Sequence, residues 1–158
     1  MEYFMSLAWD TNKWTNSNTN EYTQLWAARE FGAEYANEIA DILSKYTKYN
    51  GRRKIESLTP KTFSVVNYQE AENVVADFNK ITAQAEAIYN KLPKEKRDAF
   101  YQIVLFPTKA CALVNELYYT AARNNLYASQ KRVSANTMAN QTRELFQQDL
   151  ALMKHYNT

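Results

Sequence analysis

Carboxylates are the residues best supplied to do chemistry in this chain. Glu34, Glu38 and Asp41 fall at helical spacing on one face, and Glu70 and Glu72 open a later segment. Paired carboxylates could serve as the acid and base of glycoside cleavage. At exposed helix turns, however, such side chains are ordinarily solvated surface charge. Glu116 stands apart, in a nearly apolar stretch beside Asn115 and about two turns after Lys109. A carboxylate there needs a partner, which makes a structural polar cluster the first expectation and a ligand-facing role the second.

Other chemistries are poorly supplied. One histidine, His155, and one cysteine, Cys111, cannot assemble a metal site or a nucleophilic triad. No catalytic residue, metal ligand or cofactor is therefore expected from this chain. Neither glycine-rich phosphate-binding motif is present, and the single Cys111 has no partner for an internal disulfide. Its apolar surroundings suggest a buried thiol. A net charge of +2 is too balanced to point to nucleic acid, and no apolar run approaches the length of a membrane span.

The frame for these residues is helical. Only 2 glycines and 3 prolines occur in 158 residues, against 46% hydrophobic residues, which favours long helices over a turn-rich β fold. Asn18 or Asn20 can cap a first helix that presents Tyr22, Leu25, Trp26 and Arg29 on one face, with Gly32 at its left-handed end. A second runs from about Glu34 to Tyr49 and ends at Gly51. The third has the cleanest period: Ala71, Val74, Val75, Phe78, Ile81, Ala85, Ile88, Tyr89 and Leu92. Pro93 opens a fourth, nearly all-apolar segment that Pro107 should kink or split. The last begins near Ser134 and reaches Tyr156 without an evident C-cap. The fold class is thus all-α: an antiparallel bundle of about five helices with one long extended loop, about 52–68.

The opening LAWDTNKW shows no period, so residues 1–17 read as a junction segment and 18–158 as the bundle. Trp9, Trp14, Tyr68 and Tyr119 fall on no apolar stripe and are candidates for binding a glycan or another domain.

SLAWDTNKW, EYTQLWAAREFG, EIADIL before GRRKIE, TFSVVNYQEAE, IYNKLP, DAFYQIVLFPTKA and NELYYTAARNNLYA follow one another in order. Together these blocks resemble the helical domain of glycoside hydrolase family 115, the xylan α-glucuronidases. The resemblance implies a non-catalytic bundle between an upstream catalytic barrel and a downstream β-rich domain. The enzyme would remove glucuronic or 4-O-methylglucuronic acid from xylan, be exported or periplasmic, and be dimeric. No catalytic carboxylate carries over, because that region of the family has no counterpart here. On this reading Trp9, Trp14, Arg52, Arg53, Asn67 and Tyr68 meet other domains or approach substrate, with an arginine suited to a uronate. The alternative is a freestanding helical module that binds a protein or a glycan.

Overall fold

The computed structural model describes residues 2–15 and 17–157; Met1, Asn16 and Thr158, which the expected junction segment and bundle include, lie outside them. All regular structure among the described residues is helical. Seven α-helices follow in order: α1 (Glu2–Trp9), α2 (Thr19–Phe31), α3 (Ala36–Asn50), α4 (Glu70–Lys91), α5 (Lys94–Phe100), α6 (Phe106–Ser129) and α7 (Ser134–Tyr156). Short 3-10 turns occupy Ala33–Tyr35 and Ile55–Ser57, and a π segment, Tyr101–Leu105, joins α5 to α6. The five long helices α2, α3, α4, α6 and α7 form the expected bundle.

The three-and-four spacing of α4 does what it foretells. Ala71, Val74, Phe78, Ile81, Ala85 and Ile88 are all buried along one face. They meet Ile39 and Ile42 of α3, Phe31 of α2, and Phe100, Val104, Leu105 and Ala112 from the α5–α6 stretch. Phe31 meets Phe100 edge-on at 5.3 Å, and Tyr49 meets Phe78 at 5.6 Å. Each such large side chain withdrawn from water contributes about 2–3 kcal/mol before entropy is charged.

Pro107 has the effect its chemistry requires. It has no N–H, and its ring would press on the carbonyl four residues earlier. The helix widens just upstream, where the Phe106 N–H reaches back five residues to the Tyr101 carbonyl. The apolar segment is thereby split into α5 and α6 without a sharp break, and Val104 and Leu105 still point into the core.

Several local expectations are corrected. The opening segment is a helix from Glu2 to Trp9, which at eight residues is too short to display a convincing period. On α2 the buried residues are Ala27 and Phe31, whereas Leu25 is 56% exposed, so the inward face is rotated from the expected one. Asn18 does not cap that helix with its side chain; it bridges the preceding turn, accepting from the Thr15 N–H and donating to the Lys13 carbonyl, both at 2.7 Å. Gly32 has a positive φ of 105°, but Gly51 sits at −66° in ordinary helical geometry. At the far end Asn157 supplies a cap after all, donating its side-chain amide to the Met153 carbonyl at 2.8 Å.

Candidate functional site

The loop between α3 and α4 is organised by its own small polar side chains. Ser64 Oγ accepts from the N–H groups of Val66 and Asn67. Glu70 Oε2 accepts the Ser64 N–H at 2.7 Å, and the Ser64 carbonyl accepts the Ala71 N–H at 3.0 Å. This exchange ties the loop to the first turn of α4, where free N–H groups and the helix dipole favour a carboxylate. The chain then passes through Tyr68 and Gln69 with positive φ of 57° and 53°. Two successive non-glycine residues in the left-handed region cost free energy and turn the Tyr68 ring outward, 96% exposed.

Arg52 opens the same loop. Its guanidinium lies 4.5 Å above the Tyr49 ring and donates to Asp77 Oδ2 of α4 at 2.5 Å. Arg53 is exposed, with one long contact to the Ser57 carbonyl at 3.4 Å. Asn67 is exposed and accepts the Glu70 N–H at its carbonyl.

The two tryptophans differ. Trp14 is 7% exposed, edge-on to Tyr22 of α2 at 5.0 Å. Trp9 is 91% exposed and shares α1 with Phe4 and Met5, themselves 65% and 62% exposed. Arg29 of α2 grips both oxygens of Glu2 at 2.7 Å, which fixes α1 in place and holds the Glu2 carboxyl below its usual range. Trp9 and Trp14 therefore belong to the α1–α2 end, whereas Arg52, Asn67 and Tyr68 flank α4.

Cys111 is buried, its Sγ 3.5 Å from Asn50 Oδ1 and 3.9 Å from the Tyr46 hydroxyl oxygen. Burial pushes the thiol up, and pushes the Tyr46 phenol up to about 12. An inert thiol is the consequence. His155 rests edge-on to Tyr101 at 5.3 Å, a packing role. Among the described residues no group of His, Cys, Asp and Glu could hold a metal ion.

The expected pairing of Glu116 is corrected as well. Lys109 turns away from it and reaches Glu86 of α4 at 2.7 Å. Glu116 is half-buried and opens instead on a hollow of about 390 Å³ between α4, α6 and α7, lined also by Asn79, Leu113, Gln148 and Leu152. Of the other carboxylates, Glu34 and Glu38 are exposed and Asp41 binds Lys45 at 2.6 Å. Glu70 accepts the Ser64 N–H of the loop, and Glu72 accepts from the Tyr119 hydroxyl at 3.3 Å.

One cluster has no counterpart in the sequence reading. Arg123 donates to the hydroxyl oxygens of Tyr119 and Tyr127, and Arg132 lies 3.9 Å over the Tyr127 ring. Arg132 is delivered there by a Schellman turn: its N–H bonds the Tyr127 carbonyl and the Lys131 N–H bonds that of Ala128. The i, i+4 spacing of Tyr119, Arg123 and Tyr127 was the available signal.

No helix of the described residues is long and apolar enough to cross a membrane. No curated protein matches the chain. A family model, glycosyl hydrolase family 115, matches residues 1–57, a span that takes in α1, α2, α3 and the start of the long loop. Three of the sequence blocks that carry the resemblance lie within it: SLAWDTNKW, EYTQLWAAREFG and the run ending in GRRKIE. Through its first 57 residues, the chain is matched to glycosyl hydrolase family 115.

Proposed function

We propose that this chain is a non-catalytic helical domain of a larger xylan α-glucuronidase, which removes glucuronic or 4-O-methylglucuronic acid from xylan. The carrying observation is the family match over residues 1–57, which takes in α1–α3. Phe4, Met5 and Trp9 leave an apolar helix face open to water, as expected where a neighbouring domain is to be met. Four of the carboxylates are held in structural contacts: Glu70 accepts the Ser64 N–H, and Asp41, Asp77 and Glu86 each bind a cation.

Residues 1–17 then form the junction and 18–158 the bundle. Trp9 and Trp14 belong to the junction side, and Arg52, Arg53, Asn67 and Tyr68 face another domain or the approach to substrate. The upstream barrel, the downstream β-rich domain, a second copy of the enzyme and xylan are the partners of this reading, with export from the cytoplasm.

The test compares the whole gene product with this chain alone on 4-O-methylglucuronoxylan, following uronic acid release. Release by the longer protein and none by the isolated chain is the expected result. Turnover by the isolated chain, or a gene product no longer than this chain, would overturn the proposal.

A further inference from the structure

Three polar side chains from three different helices line the hollow between α4, α6 and α7: Asn79, Glu116 and Gln148. Among the described residues none of the three side chains has a hydrogen-bond or ion partner within the chain. The nearest cation by sequence, Lys109, lies on the rim and is committed to Glu86. Leu113 and Leu152 supply an apolar wall. At about 390 Å³ the hollow is within the range of small-ligand sites.

We propose that this hollow binds a neutral sugar unit of a polysaccharide, with Glu116 and the two amides taking its hydroxyl groups and the leucines meeting its apolar ring face. A carboxylate and two primary amides offer both donors and acceptors in pairs, which vicinal hydroxyls can satisfy and a purely apolar ligand cannot. Charge argues for neutrality. The unpaired Glu116 repels a uronate or other anion, and Lys109 on the rim disfavours a polycation. The choice of a saccharide rests on the reading of the chain as part of a xylan-acting enzyme; the hollow and its unmatched polar groups do not.

The experiment is an NMR titration of the ¹⁵N-labelled 158-residue chain with xylotetraose, maltotetraose and sodium glucuronate. Xylotetraose should shift the side-chain amide signals of Asn79 and Gln148 in a saturable way, and glucuronate should not. Asn79→Ala, Gln148→Ala and Glu116→Gln should each weaken binding by roughly 5- to 20-fold. The first two alter exposed side chains and leave the fold intact, as a matching ¹⁵N spectrum would verify. Binding of maltotetraose in place of xylotetraose would uphold a sugar site and count against the xylan reading. No saturable shift with either tetrasaccharide at millimolar concentration, affinity unchanged in all three variants, or a response to glucuronate alone would overturn the proposal.

Discussion

Arg52 Nη2 meets Asp77 Oδ2 at 2.5 Å, and this contact ties the start of the long loop to the second turn of α4. Both side chains are about one-third exposed, so solvent screens the pair, although Tyr49 beneath the guanidinium adds a cation–π contact. Arg52→Ala should lower unfolding stability by about 0.5–1.5 kcal/mol. A double-mutant cycle with Asp77→Asn, measured by urea denaturation at low and high salt, should show a coupling that shrinks with salt. Purely additive effects at low salt would contradict the pair's role.

Lys131 adopts a φ of 55° at the end of α6, where a glycine ordinarily sits. Releasing that strain outweighs the extra freedom a glycine gives the unfolded chain. Lys131→Gly should therefore stabilise the protein by about 0.5–1 kcal/mol. Thermal unfolding followed by circular dichroism checks this; a lower midpoint would mean that the Lys131 side chain contributes more than its backbone costs.

Burial separates two substitutions to alanine. Ile81 is fully buried in the centre of α4, and Ile81→Ala should cost about 2–5 kcal/mol through lost transfer energy and the cavity left behind. Trp9→Ala removes a ring 91% exposed and should change the stability of this chain by less than about 0.5 kcal/mol. Should Trp9→Ala prove as costly as the core substitution, α1 would have to be packed differently.

The alkaline limb of the stability curve has a structural origin. Burial raises the Tyr46 phenol from 10.0 to about 12, so the fold favours its neutral form. That contribution is complete below pH 10 and is lost as pH climbs from 10 toward 12. Cys111, also raised by burial from 9.0, acts in the same sense. Tyr46→Phe should flatten the fall in stability over that range without abolishing it, because Tyr101 and Tyr119 are raised too. Urea midpoints between pH 8 and 11.5 give the comparison, and an identical slope in the variant would remove Tyr46 from the account. The same burial predicts slow modification of Cys111 by a disulfide reagent in the native state.

Legibility in the sequence followed the strength of the periodic signal. α4 could be read nearly to the residue because its apolar positions repeat through 22 residues. α1 could not, since eight residues give barely two turns and its apolar residues face water. Gly51 marked the end of α3 correctly, although the helix ends there in ordinary helical geometry and not with the positive φ seen at Gly32. The Arg52–Asp77 and Lys109–Glu86 bonds join residues 25 and 23 positions apart, and no local pattern announces them. Glu116 stood out by its apolar surroundings, but Asn79 and Gln148 look like ordinary polar residues on their own helices, and only the packing of three helices brings the set together.

The widened turn at Tyr101–Leu105 gives this stretch a counting rule of its own. A π turn absorbs one residue more than an α turn, so the surplus residue is taken up locally and α6 keeps the facing that an unbroken α-helix would give it. Deleting one residue there would rewind the stretch as plain α-helix without turning α6 about its axis, whereas a further insertion that is not absorbed would rotate α6 by about 100°. Only the insertion would swing Thr108, Cys111 and Asn115 off the inward row, with α7, which follows α6, carried along. The register of the bundle therefore withstands the loss of one of these five residues, and substitution at the exposed Gln102 and Ile103, better than a further insertion.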